Sequence, residues 1–397
     1  MGTRGIPLLL AAVVCLAQEP PLRAGKPPVY PGDEVPRGFS SAAAAELFAA
    51  AVTAQKSKDF STAVTKYEEF LRLRPGFVPA LSNLGAALAA LGRFDEAVAS
   101  YEQALRREPA NRAIRANLAL AYYKRAEFRK AADEFEAVHA ADQGNEQALY
   151  LLADCYLRLG ENGKVIDLLA PLVDRDPDDR AGSYLLGTAL LRDGQHERGR
   201  KLIERFMRFG DTAEIHLLIG ASQLAAGDYE VALTTLKKAA DLNPNLPGVW
   251  ALYGRAEMEN DHSEEAKAAF RRELAADPTD FDANLNLGAL LRMETRFEEA
   301  RPLIERALAI RPASIAARYQ AASLELAGGR LEEARKILEA MVAEAPDFVE
   351  AHAQLAATYY KLGRRDDGRR HREIIMKLQA ESRKQDGARP QKAAAAP

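Results

Sequence analysis

Cysteine and tryptophan are almost missing from this chain, with two Cys and one Trp among 397 residues and aromatics at only 7%. Two cysteines, Cys15 and Cys155, are too few for a disulfide framework, so stability has to come from packing. An excess of charge of one sign is missing as well. The 54 Lys and Arg against 57 Asp and Glu leave a formal −3, which gives no global field toward nucleic acid, and none is expected as a partner. No convincing strand pattern occurs, and no Gly-rich loop follows a strand to cradle phosphate. Six histidines (His139, His196, His216, His262, His352 and His371) lie far apart, read as belonging to different repeats, and no two have the helical spacing that sets a pair on one metal. No metal and no cofactor are expected.

Long hydrophobic runs are also scarce. The one near the N-terminus, Ile6 to Ala17 behind Arg4, would reach about 18 Å as a helix against a hydrocarbon core of roughly 30 Å. That excludes a permanent span by this segment. With small residues at Cys15 and Ala17 it reads as a signal peptide over 1–17, cut before Gln18, which implies export to a bacterial periplasm or cell envelope; without a signal the chain would be cytoplasmic. Residues 18–40 carry Pro20, Pro21, Pro27, Pro28, Pro31 and Pro36, which fix backbone angles and remove amide donors, so an extended linker is expected there.

What is abundant is Ala, Leu, Glu and Arg in a 34-residue period, with units beginning near 44, 78, 112, 146, 180, 213, 247, 281, 315 and 349. Only the unit at Arg180 is one residue shorter. Position eight is always Gly or Ala, from Ala51 and Gly85 to Gly288, Ala322 and Ala356, and position twenty is small again in Ala63, Ala97, Ala266 and Ala300. Small residues at both places allow two antiparallel helices to approach closely. Larger residues fill in around them: Tyr67, Tyr101, Phe135, Leu169, Ile203, Leu236, Phe270, Ile304 and Leu338 at position twenty-four, and Leu84, Leu118, Leu152, Leu186, Ile219, Tyr253 and Leu287 at position seven. Position thirty-two is proline in seven units, with Gln143 and Asp211 as departures, and a proline there stops the second helix. Short polar turns such as Gly92-Arg93 and Gly227-Asp228 separate the two helices. Each unit is therefore a helical hairpin.

Trp250, Tyr253, Gly254, Ala266, Phe270 and Pro278 together make the chain resemble the tetratricopeptide repeat family from about Ala44 to Leu378. The resemblance implies an all-α, right-handed α-solenoid of about ten tandem helix-turn-helix repeats over 41–380, non-enzymatic, with first helices lining a concave groove that takes proteins or peptides. Residues 381–397 are expected to be a disordered tail. Under that geometry, positions two, five, nine, twelve and thirteen of the first helices face the ligand. The candidate groove residues are Phe48, Tyr123, Tyr150, Tyr184, Tyr319 and Tyr360 as rings, Arg158, Arg192 and Arg255 as readers of polar groups, and Asn83 and Asn117 at position six. The family's carboxylate clamp, Lys and Asn at positions five and nine, is absent. Asn at position six, the basis of an asparagine ladder, occurs only at Asn83, Asn117 and Asn286.

Other candidates for chemistry have plainer readings. Cys155 sits in a first helix without a nearby histidine in sequence, and Glu264-Glu265, Glu298-Glu299 and Glu332-Glu333 fall at helix starts, where negative charge suits the dipole. The segment from Lys361 is basic and is a candidate surface for an anionic partner. The expectation is an interaction scaffold in envelope protein assembly or secretion, or alternatively the substrate-recruiting subunit of a separate enzyme complex.

Overall fold

A computed structural model describes residues 42–388; the expected signal peptide (1–17), the linker (18–40) and the end of the expected tail (389–397) lie outside the described residues. Among the described residues twenty α-helices form ten hairpins, and the chain divides into two compact units, the first running to Val249 and the second from Trp250. The first unit holds α1 (Ala42–Lys56), α2 (Phe60–Leu73), α3 (Val78–Ala90), α4 (Phe94–Arg107), α5 (Arg112–Lys124), α6 (Phe128–Ala141), α7 (Glu146–Leu159), α8 (Asn162–Arg175), α9 (Arg180–Arg192), α10 (His196–Phe206), α11 (Ala213–Ala226) and α12 (Tyr229–Leu242). The second begins with α13 (Val249–Glu259) and continues through α14 (Ser263–Ala276), α15 (Phe281–Met293), α16 (Phe297–Ile310), α17 (Ile315–Ala327), α18 (Leu331–Glu344), α19 (Val349–Lys361) and α20 (Arg365–Ala388). Odd-numbered helices are the first of each hairpin.

The punctuation between helices comes from short polar side chains. Asn111, Asn145, Asp179, Asp280 and Ser314 each accept a hydrogen bond from the backbone N–H three residues on, which caps the next first helix. Just upstream, Asp142, Asp176, Asn243 and Asp277 accept from the N–H two residues on, a local turn that competes with helix. The turn at Asp142 explains how α6 ends on schedule although Gln143 replaces the usual proline. The other departure is handled differently: α10 stops at Phe206, a 3-10 turn over Met207–Phe209 follows, and Gly210 (φ 99°) redirects the chain. This is where the short repeat loses its residue.

Inside each hairpin the residue at position fifteen adopts positive φ. Six times it is glycine, as at Gly92 and Gly227, but Lys58 (63°), Ala126 (59°), Asp261 (63°) and Thr295 (61°) hold the same conformation. The hairpin geometry thus imposes the left-handed state even where the side chain opposes it.

Packing sharpens the sequence reading of position eight. A Cβ on Gly85 would lie 2.6 Å from the Tyr101 ring, and one on Gly220 would lie 2.5 Å from Leu236. One on Gly254 would meet Phe270 at 2.9 Å and the Ala266 carbonyl oxygen at 3.2 Å. The small residue at eight therefore makes room mainly for the bulky residue at twenty-four, and the small residue at twenty contributes close backbone. Position twenty-four is buried in the first nine hairpins and exposed as Arg372 in the last, whereas at position seven Ile219 and Tyr253 are only half-buried, Tyr253 resting edge-on against Trp250 at 5.7 Å.

Neighbouring hairpins are tied by a repeated bridge. The phenol at position eleven donates to the glutamate at position twenty-five of the preceding hairpin: Tyr122 to Glu102 (2.6 Å), Tyr156 to Glu136, and Tyr359 to Glu339 (2.5 Å). A cation sits over each ring, Lys130 at 5.2 Å, Lys164 at 4.8 Å and Arg364 at 4.6 Å from the centroids. In the second unit Lys267, with 2% of its side chain exposed, bonds both Glu264 and Glu294, and these hydrogen bonds raise its pKa.

The helix α20 runs to Ala388, past the boundary expected at 380. Residues 379–388 are mostly Ala, Glu, Arg, Lys and Gln, good helix formers, and Lys377 stands 4.0 Å from Glu381 one turn on. The described helix therefore covers residues 381–388 of the segment expected to be a tail, and the rest of that segment lies outside the described residues.

Candidate functional site

Within each unit, first helices of neighbouring hairpins touch one another: α3 with α5, α7 with α9 and α9 with α11 in the first, α15 with α17 and α17 with α19 in the second. Second helices of neighbouring hairpins make no contact of that extent. The first helices are therefore the more crowded side, and their outward positions form the face on which the candidate residues lie.

In the first unit that face is closed over. Phe48 is 9% exposed and packs among Tyr67, Phe70 and Phe77 at 5.3–5.9 Å. Tyr123, Tyr150 and Tyr184 are 8%, 5% and 9% exposed. Tyr123 donates to Asp154 (2.5 Å), whose carboxylate also accepts from Arg158 (2.9 Å), and the guanidinium lies over the Tyr123 and Phe128 rings at 5.5 and 5.0 Å. Burial pushes the Tyr123 phenol well above its ordinary range, against the pull of Arg158 and with help from Asp154. Tyr150 is raised in the same way, by burial and then by the negative charge of nearby Asp179, the residue that caps α9. Arg192 is exposed and reaches the Leu157 carbonyl oxygen at 3.5 Å. Asn83 and Asn117 are half-buried, and Asn83 bonds the Tyr67 phenol. The structure thus brings Tyr123 and Arg158 together, around an acid that the sequence reading had not singled out. It spends these rings on joining hairpins.

In the second unit the same register is open. Met293, at position thirteen of α15, is 70% exposed, and Tyr360, at position twelve of α19, is 37% exposed. Between them Leu285, Tyr319 and Leu326 are half-buried, Tyr319 leaning on Phe348 at 5.7 Å. Arg255 and Lys361 are exposed at the margins, and Arg292 is fixed by a 2.9 Å hydrogen bond to Gln320. Met293 was missed by the sequence reading because methionine at that position gives no aromatic or charge signal.

The remaining chemical candidates fall into place as structure. Cys155 is fully buried, and burial drives its thiol pKa well above the ordinary value, away from a reactive thiolate. The Glu pairs occupy the first turns of α14, α16 and α18. In α20, Arg364, Arg369 and Arg370 are paired with Asp367, Asp366 and Asp367, which neutralises much of the basic stretch. Among the described residues there is no cluster of three or more metal-binding side chains, and no helix is long and apolar enough to cross a membrane. One reading needs correction: His352 and His371 were taken to lie in different repeats, but both belong to the last hairpin, where α19 and α20 bring them into contact.

Tandem helical hairpins with touching first helices define an α-solenoid, a general scaffold for protein interactions. Family profiles described as tetratricopeptide repeat match residues 78–111, 124–188, 213–246, 252–315, 291–353 and 326–371. The chain belongs to the tetratricopeptide repeat family. Among solved structures, a tetratricopeptide repeat protein from Parabacteroides merdae matches 68% of this chain and 100% of its own, at 15% identity and a TM-score of 0.54. A chain of the APC/C hetero-tetramer Cut9-Hcn1 matches over 85% of this chain and 87% of its own, at 12% identity and a TM-score of 0.50. At such identities the likeness is one of fold. No curated protein matches the chain significantly.

Proposed function

We propose that this chain is a non-enzymatic scaffold that holds amphipathic polypeptide segments on the first-helix face of its second unit. The carrying observation is the exposure of Met293 and Tyr360 (70% and 37%) in the same register as Leu285, Tyr319 and Leu326, which stay half-exposed although Tyr319 and Leu326 also pack on the core, so that apolar area remains open. A thioether and a phenol suit such a ligand: Met adapts its shape, and Tyr offers an apolar ring with a hydroxyl. Arg255 and Lys361, both exposed, supply charge for acidic groups on the segment's polar side.

The reading extends to the cell envelope, in protein assembly or secretion. Its support is Arg4 followed by the apolar run Ile6–Ala17 and the proline-rich stretch behind it, a pattern suited to export. The test has two parts. Cell fractionation with the full chain should place it in the envelope fraction, and recovery in the cytosol would sink the export reading. A protein captured by the full chain should then be cut into peptides and titrated against the parent and a Met293→Lys, Tyr360→Ala variant of unchanged helicity. Equal affinity for both would move the site elsewhere.

A further inference from the structure

The closing hairpin of the second unit holds a contact that peptide binding does not require. His352 is 3% exposed, its Nε2 lies 3.0 Å from the Pro346 carbonyl oxygen, and its Nδ1 lies 2.8 Å from Nδ1 of His371. A carbonyl oxygen only accepts, so Nε2 of His352 carries a proton and donates it. A neutral His352 then keeps a lone pair on Nδ1, and the short contact requires the Nδ1–H of His371 to donate into it. One proton is thus shared across the joint between α19 and α20. A proton added to His352 at Nδ1 would set two N–H groups head to head and leave one ring charged with its neighbour's centroid 5.0 Å away.

We propose that the His352–His371 pair is a proton-operated latch that seats the terminal helix α20 on α19 and releases it on acidification. The groups facing the pair have been fixed by other bonds. From α19, Tyr359 stacks on His371 at 5.6 Å, and its phenol, pushed up to about 12 chiefly by burial, donates to Glu339 of α18. Glu339 also accepts from Arg335 of α18 (2.6 Å). Arg364, just ahead of α20, lies over Tyr359 and bonds Asp367 of α20 (2.7 Å). From α17, the contact to α19 is the neutral Gln354 to Ser323 (2.7 Å). Burial first, and then His352, hold His371 below its ordinary 6.5, while Asp367 and Glu339 pull the other way without cancelling them.

The sign follows from linkage. A histidine held low in the seated state takes up its proton more readily when released, so seating is full above 6.5 and weakens as pH falls through the lower seated value. For one refused proton the seating constant drops up to about tenfold per pH unit in that window. Release would uncover Leu355 and Tyr359, both buried on the seated hairpin.

Hydrogen exchange on the full chain tests this at pH 7.5, 6.5 and 5.5, corrected for intrinsic rates. Protection of residues 368–378 is expected to fall by up to about fivefold between 6.5 and 5.5, while α16 stays constant. The His371→Asn variant, whose amide replaces the Nδ1–H donor without titrating, should keep α20 seated at pH 7.5 and abolish the pH response. Protection of α20 that tracks α16 in the parent, or an undiminished response in His371→Asn, would overturn the latch. If the variant does not seat at pH 7.5, ring titration of the parent by NMR decides. One ring remaining neutral well below 6.5 upholds the shared proton, and two independent titrations near 6.5 refute it.

Discussion

The two units use one hairpin design and treat its exposed face in opposite ways. In the first, rings at positions five and twelve of the first helices are buried: Phe48 lies among other rings, Tyr123 donates to Asp154 of the next hairpin, and Tyr150 lies near Asp179 at the cap of α9. In the second, Met293 stands in solvent, Tyr360 is 37% exposed with one side of its ring against Gly368, and Tyr319 is only half-covered. A residue's place in the repeat therefore does not decide whether it joins hairpins or meets a ligand. The partner that the neighbouring repeat supplies decides it.

Truncations measure that contrast most directly. Tyr150→Ala removes a ring that is 5% exposed, so it should cost about 4 kcal/mol, read as a lower midpoint in urea denaturation. Tyr360→Ala should cost under about 1 kcal/mol. Similar losses for the two would erase the distinction between the units. The next effect should be shared by both. Gly85→Val and Gly288→Val each drive a Cβ into a position-twenty-four side chain, Tyr101 at 2.6 Å and Ile304 at 2.8 Å. Each should cost about 2 kcal/mol by the same measurement. A unit that tolerated the change would not be packed by the common rule.

The repeat itself was legible because its information is local and recurrent: small residues at eight and twenty, bulk at twenty-four, and proline at thirty-two are each demanded by contacts inside one hairpin. What escaped the sequence depends on contacts between hairpins. Tyr123 and Tyr150 looked like exposed anchors because their acids lie on the following repeats, about thirty residues away. His352 and His371 looked unrelated at a separation of 19, which helical spacing does not pair, although a hairpin folds one against the other. Glycine fills the left-handed turn position in six hairpins, yet Lys58, Ala126, Asp261 and Thr295 adopt the same conformation. The conformation belongs to the hairpin and the glycine merely suits it.

That last point gives a stabilising prediction in each unit. Ala126→Gly and Thr295→Gly replace residues held at φ 59° and 61° and should each gain about 1 kcal/mol, the left-handed penalty less glycine's extra entropy. The readout is a Tm raised by a few degrees. Thr295, β-branched, should gain more than Ala126, and an unchanged Tm for both would mean that the turn is not strained.

Met293→Lys has the smallest expected effect on stability and the sharpest on the comparison. With 70% of the residue already in solvent, the change should move the denaturation midpoint by no more than about 0.5 kcal/mol. On the proposed face, however, it places a strongly hydrated ammonium where the ligand's apolar side would lie, and affinity for a captured peptide should fall at least about tenfold. Stability lost together with affinity would mean that Met293 is packing, as Tyr150 is, and that the second unit's face is closed in solution like the first's. Affinity lost alone would establish that the open register is the one that binds.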